Sequence, residues 1–229
     1  MLKMKTLSKL GAATAVAALM ATGASAAVTS GVIPGGGTNE ALAALGLSDP
    51  LGGWYGASLW LTELADITID YFGAEAGYNN SFIFGDDDAV ISTGGNTNEF
   101  GSLVPTDTPL SSKTVTGVMA GQLDFGFGMD GSLVATLLNG NNPNGSGPSS
   151  PPNFFVSFVG NPNATSGSSV WLFLDDGGAG PDDNHDDMVI RLTASAGSFV
   201  APIPVPAAGF LLLGGLAALG MVSRRRKSV

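Results

Sequence analysis

Six aspartates and the chain's only histidine fall within thirteen residues, Asp175 to Asp187, in the run DDGGAGPDDNHDD. Carboxylates this dense repel one another unless a cation sits among them, and hard oxygen donors suit calcium. Asp182, Asn184 and Asp186 occupy the alternating first, third and fifth ligand positions of a calcium loop, with Asp175 and Asp187 flanking them. These five residues are the metal ligands the sequence nominates, with Ca2+ as the ion. The EF-hand pattern goes no further, because Asp187 stands where its turn glycine belongs and Thr193 where its bidentate glutamate belongs. Gly177 to Asp182 fits Gly-Gly-x-Gly-x-Asp once, whereas a calcium β-roll needs tandem copies. The competing reading is a solvated acidic turn that keeps sheet edges soluble.

Other chemistry is thinner. Asp86-Asp87-Asp88 is a smaller acidic turn of the same kind, a candidate to complete a metal site from another loop. Any Ser-His-Asp arrangement would have to use His185, no Gly-x-Ser-x-Gly elbow is present, and a histidine among turn residues reads as a surface or supporting group. Asp124-Phe125-Gly126 spells a kinase tripeptide without a glycine loop, a suitable lysine or a catalytic loop around it. Spacing singles out no carboxylate pair for glycoside hydrolysis. The sequence therefore points away from an enzyme. Trp54, Tyr55, Trp60 and Trp171 have faces that stack on sugar rings, although aromatic residues in strands more often fill a core.

The acidic run must be held by a hairpin, since Val170 to Leu174 and Met188 to Thr193 on either side have strand length and composition. Further strands are predicted over Trp54–Leu61, Ile67–Phe72, Ser81–Phe84, Thr114–Met119, Leu123–Met129, Leu133–Leu138 and Phe154–Val159, with one short helix over Glu40–Leu47 ending near Gly46. Many short strands and almost no helix predict an all-β fold, an antiparallel β-sandwich that is jelly-roll-like. It is one domain over residues 27–199, and residues 139–152, made only of Asn, Gly, Pro and Ser, form a flexible loop within it.

Of the 229 residues, 44 % are hydrophobic and 12 % charged, too apolar for a disordered chain. The net charge of −10 argues against nucleic acid as a partner. All acids lie between Glu40 and Asp187, while seven of the nine bases sit at the two tips. With no cysteine, the chain has no disulfide framework, thiol chemistry or lipid-anchoring thiol.

The tips carry the addresses. Lys3, Lys5 and Lys9 precede an apolar stretch from Leu10 to Ala21 and a small-x-small site at Ala24-Ser25-Ala26, the pattern of a secretory signal peptide over residues 1–26. Residues 200–206 form a Pro-rich linker, 207–222 a single transmembrane helix and 223–229 a basic tail held in the cytoplasm by the positive-inside rule. Sixteen apolar residues reach about 24 Å, short of the roughly 30 Å hydrocarbon core, so this helix is a weak permanent anchor.

Pro204, Val205, Pro206 and Ala207, the apolar run, and Arg224, Arg225 and Arg226 together resemble the VPLPA class of C-terminal sorting signal, a relative of the PEP-CTERM tails of Gram-negative bacteria. Ile203 replaces the usual first Val, and Val205 the usual Leu. The resemblance covers about a tenth of the chain and implies processing by an exosortase, a membrane protease, as the chain reaches the surface. A second resemblance, over Val170 to Thr193, is to the closing hairpin of an uncharacterised β-rich domain of exported bacterial proteins; it implies a fold and a metal loop but no activity. The resulting expectation is an exported cell-surface, outer-membrane or extracellular-matrix protein with a transient inner-membrane anchor. Its role would be structural or adhesive, linked to exopolysaccharide or biofilm. A calcium-dependent glycan-binding module is the alternative, ahead of an exported hydrolase.

Overall fold

Along Asn153–Phe158, Phe154, Val156 and Phe158 face one hydrophobic cluster and Phe155 faces another. The same division runs through the two neighbouring strands: Val170, Leu172 and Leu174 oppose Trp171 and Phe173, and Met188, Ile190 and Leu192 oppose Val189. These strands lie at the centre of a sheet covered on both faces, which is why their sequences read as nearly continuous apolar runs.

The computed structural model describes residues 28–86, 89–95, 97–102, 108–145, 151–177 and 183–201. The predicted signal peptide, the sorting motif with Pro204, Val205, Pro206 and Ala207, the segment 207–222 and the tail with Arg224, Arg225 and Arg226 lie outside these residues. No helix among the described residues is long and apolar enough to cross a membrane.

In chain order the elements are β1 (Thr29–Ile33), α1 (Glu40–Ala44), β2 (Leu51–Tyr55), β3 (Trp60–Leu61), β4 (Ala65–Gly73), β5 (Glu75–Ala76), β6 (Ser81–Phe84), β7 (Ala89–Ser92) and β8 (Thr97–Asn98). A 3-10 turn at Phe100–Ser102 leads to β9 (Ser111–Val118), β10 (Gly121–Gln122), β11 (Phe125–Gly128), β12 (Leu137–Leu138) and β13 (Asn153–Phe158). The chain then forms β14 (Ser166–Gly167), β15 (Ser169–Asp175), β16 (Met188–Ala194) and β17 (Phe199–Val200). The fold is all-β, and every pairing is antiparallel.

Seven strands form the main sheet in the order β1-β2-β13-β15-β16-β4-β9, and two four-stranded sheets run β12-β11-β6-β7 and β10-β3-β17-β14. The first cluster joins the main sheet to both smaller ones, with Phe125 and Phe127 of β11 meeting the Phe154 ring at 5.7 and 5.6 Å. Burying a side chain of this size contributes roughly 1.5–3 kcal/mol. The second cluster covers the opposite face with α1, through Ala41, Leu42 and Ala44, together with Ile33, Tyr55 and Phe100. On that face the Arg191 guanidinium pairs with Asp70 across the β16–β4 register at 3.1 Å and lies over the rings of Phe72 and Trp171. Apolar and aromatic surroundings favour arginine here because its planar charge stacks as well as it pairs.

The helix is shorter than predicted, with Asn39 as N-cap and Gly46 at φ +65° just beyond its end. The strand predicted over Trp54–Leu61 is two strands, broken at Gly56 with φ +68°. Only Leu137–Leu138 is strand within Leu133–Leu138, because Asp130 and Gly131 at positive φ turn the chain outward and leave Leu133 and Val134 exposed. The segment read as a flexible loop is pinned at its start. Asn139 bonds to Leu59 and Leu123, and Asn142 to Ala57 and Phe154, so two buried carboxamides do the work of a ladder strand.

Candidate metal centre

The β15–β16 register pairs Leu174 with Met188, so Asp175 leaves β15 opposite the segment that returns into β16. Within that segment Asp183 and His185 adopt φ +47° and +62°. A left-handed residue other than glycine costs about 1–2 kcal/mol, and Asp and His are among the types that tolerate it. Neighbours hold the conformation: Gly35 N–H donates to the Asp183 carbonyl at 2.9 Å, and Glu75 N–H to that of Asp186 at 2.9 Å. Asn39 Nδ2 donates to the Asn184 carbonyl at 2.6 Å and to that of His185 at 3.3 Å, while Asn39 Oδ1 caps α1 through Leu42 N–H. The sequence after β1 therefore packs against residues 183–186, which are buried.

Asp175, Asp183 and His185 converge there, each offering a ligand atom, all within 4.8 Å of one another. His185 is 0 % exposed and Asp183 2 %. The histidine proton is fixed by its neighbour. Asn153 Nδ2 donates to the Pro151 carbonyl, so Asn153 Oδ1 is the acceptor that faces His185 Nε2 at 3.0 Å, and Nε2 carries the hydrogen. Nδ1 is left as a lone pair, buried and without a hydrogen-bond partner, 3.9 Å from Asp175 Oδ2 and 3.7 Å from Asp183 Oδ1. Burial pushes the imidazole down to about 3, with the Asp183 backbone acting in the opposite direction. Tyr55 stacks edge-on against the ring at 5.5 Å. Burial, then the charges of Asp183 and Asp175, hold its phenol well above the ordinary range. Gly35 leaves room for the Asp183 carboxylate, since a Cβ there would overlap Oδ2.

No family model, curated protein or solved structure matches the chain. The cluster brings together two carboxylates and an imidazole nitrogen, a mixed nitrogen and oxygen set of the kind that could hold a cation.

Of the five nominated ligands, Asp175 joins this cluster and Asp182 lies outside the described residues. The other three side chains brace the loop. Asn184 Nδ2 donates to the Thr38 carbonyl, Asp186 Oδ2 accepts from Glu40 N–H at the start of α1, and Asp187 Oδ2 accepts from Asp176 N–H. Asp183 and His185 are absent from the nominated set, and their left-handed backbone, which brings both side chains to the cluster, has no signature in the sequence. The histidine read as a surface or supporting group is buried, with its ring against Tyr55, Phe155 and Asn153 of the main sheet, and no local pattern announces that neighbourhood. Asp86 lies in its turn away from this cluster, and Asp87 and Asp88 lie outside the described residues. Among the aromatic residues, Tyr55 and Trp171 are core, Trp54 is half-buried with its indole bonded to the Ala164 carbonyl, and Trp60 is 40 % exposed.

Asp187 makes the loop sensitive to pH. Burial foremost, and then the charge of Asp176, push its carboxyl up to about 9, with the Asp176 N–H opposing and Asp175 and Asp186 adding to the rise. Because the folded-state pKa is raised, the folded chain keeps a proton that the unfolded chain releases. Stability therefore falls as pH rises from about 4 towards 9. Asp187→Asn keeps an acceptor for Asp176 N–H and removes the titration. Urea unfolding between about pH 5 and about pH 8 is expected to show a shallower decline for the variant, by up to about one proton per molecule. Equal slopes would mean that Asp187 is ionised in the folded chain.

Proposed function

We propose that this chain is an exported protein of a Gram-negative cell surface or extracellular matrix, with a structural or adhesive role linked to exopolysaccharide or biofilm. An exosortase-type membrane protease would process its C-terminal tail, and the tail's apolar segment would serve as a transient inner-membrane anchor. The β-rich body would be a jelly-roll-like sandwich. The observation that carries this reading is the order of segments: a basic and apolar start with Ala24-Ser25-Ala26, an antiparallel all-β body, then Pro204-Val205-Pro206-Ala207, an apolar run and Arg224-Arg225-Arg226-Lys227. A structural rather than catalytic role is supported by the only histidine, whose ring is fully buried and so out of reach of a substrate as a general base.

Intact-mass analysis of surface and medium fractions tests the reading. The expected mature form begins at Ala27 and ends near Pro206 or Ala207. Finding only a species that keeps Arg224 to Lys227, or only a cytoplasmic one, would reject it.

A further inference from the structure

We infer that Asp175, Asp183 and His185 form a structural site for one zinc-type divalent ion, a class that accepts imidazole, rather than for calcium. The inference stands on the local geometry and does not depend on export.

The decisive atom is His185 Nδ1. With Nε2 committed to Asn153, Nδ1 lies 3.7 and 3.9 Å from two carboxylate oxygens, in a place where the ring is 0 % exposed. A lone pair facing two carboxylates repels both, and burial removes the water that would screen them. A shared cation turns this repulsion into attraction. Zinc bonds to nitrogen and carboxylate oxygen are about 2.0–2.2 Å, so ligand atoms on one ion lie at most about 4.4 Å apart. Both histidine–aspartate separations already meet that limit, and the aspartate pair, within 4.8 Å, would close by at most a few tenths of an ångström.

Donor chemistry selects the ion. Calcium takes six to eight oxygens and is poorly served by an imidazole nitrogen, whereas nitrogen mixed with carboxylate is ordinary for zinc and its neighbours. The Asn153 carboxamide fixes the ring's tautomer from the far side, as outer partners of metal-bound histidines do. Gly35 admits the Asp183 carboxylate where any larger residue would fill the space. Such an ion would tie the end of β15 to the returning segment and, through the Gly35 bond to Asp183, to the strand-to-helix connection after β1.

The test uses the full-length chain, purified in detergent so that both apolar ends are retained. Elemental analysis is expected to find about one zinc per chain. After chelator treatment, zinc or cobalt should raise the melting temperature by several degrees while the same concentration of calcium does not. Cobalt should also give a visible absorption band typical of nitrogen and oxygen ligands. Asp183→Asn and His185→Gln should each weaken zinc binding by at least about tenfold. Asp175→Asn is a near-isosteric third variant, and circular dichroism checks that each variant folds. If none folds, the cobalt band of the unmodified chain decides, and its absence overturns the site. The inference also fails if zinc does not shift melting, if calcium matches zinc, or if folded Asp183→Asn and His185→Gln bind zinc as tightly as the original.

Discussion

Asn139→Ala is expected to destabilise the protein by about 3 kcal/mol, since a buried hydrogen bond lost with its partner left behind costs about 1–3 kcal/mol. The carboxamide serves a break in the sheet. Its Oδ1 accepts from Leu59 N–H at 2.7 Å, and its Nδ2 donates to the Leu59 and Leu123 carbonyls at 2.9 and 2.7 Å. Removing it strands the Leu59 N–H among apolar side chains, although the Leu59 carbonyl keeps its bond from Leu123 N–H. Asn139→Asp keeps the acceptor but sets a second carboxylate oxygen against the Leu59 and Leu123 carbonyls in a buried site, so at neutral pH it should be at least as destabilising as Asn139→Ala. Urea unfolding of the three proteins measures the series, and a loss below about 1 kcal/mol for Asn139→Ala would show that water enters to replace the side chain.

Gly53→Ala should be comparably severe for a steric reason. A Cβ at Gly53 would collide with the Val156 carbonyl oxygen and stand 2.6 Å from the Phe155 ring, so β2 would have to leave β13. Overpacking of this kind costs about 1–3 kcal/mol when the neighbours can move, and here one neighbour is strand backbone. We expect a loss of about 3 kcal/mol in thermal or urea unfolding. Gly77, where an added methyl group would meet nothing within 4 Å and φ is not positive, provides the control, and Gly77→Ala should be nearly neutral.

These two residues mark where the sequence was readable and where it was not. The all-β class, the hairpin around the acidic run and the central strands follow from apolar runs bounded by turn residues, and local patterns of that kind survive folding. Short strands such as β5, β8, β14 and β17 left no pattern, because pairing over two residues depends on what the rest of the chain places beside them. Asn139 and Asn142 read as loop because an asparagine that replaces a strand has the same letter as one that faces water. The acidic run was legible as a hairpin loop, but the convergence of Asp183 and His185 on Asp175 was not. Alternate spacing along a calcium loop presumes a regular backbone, and the left-handed turns at Asp183 and His185 send those two side chains inward while Asp186 and Asp187 serve backbone amides.

Burial of the central strands of the main sheet on both faces has a consequence before folding begins. Asn153–Phe158, Ser169–Asp175 and Met188–Ala194 owe their apolar sequences to having no wet side, and in an unfolded chain such six- and seven-residue stretches are the ones that stick to other copies in cross-β fashion. Charges and prolines at the ends of such stretches act as gatekeepers against that fate. Pro151 and Pro152 stand directly before the first stretch, Asp175 and Asp176 close the second, and Asp186 and Asp187 precede the third. The acidic hairpin thus places carboxylates at gatekeeper positions, and two of them, Asp186 and Asp187, also brace the finished loop.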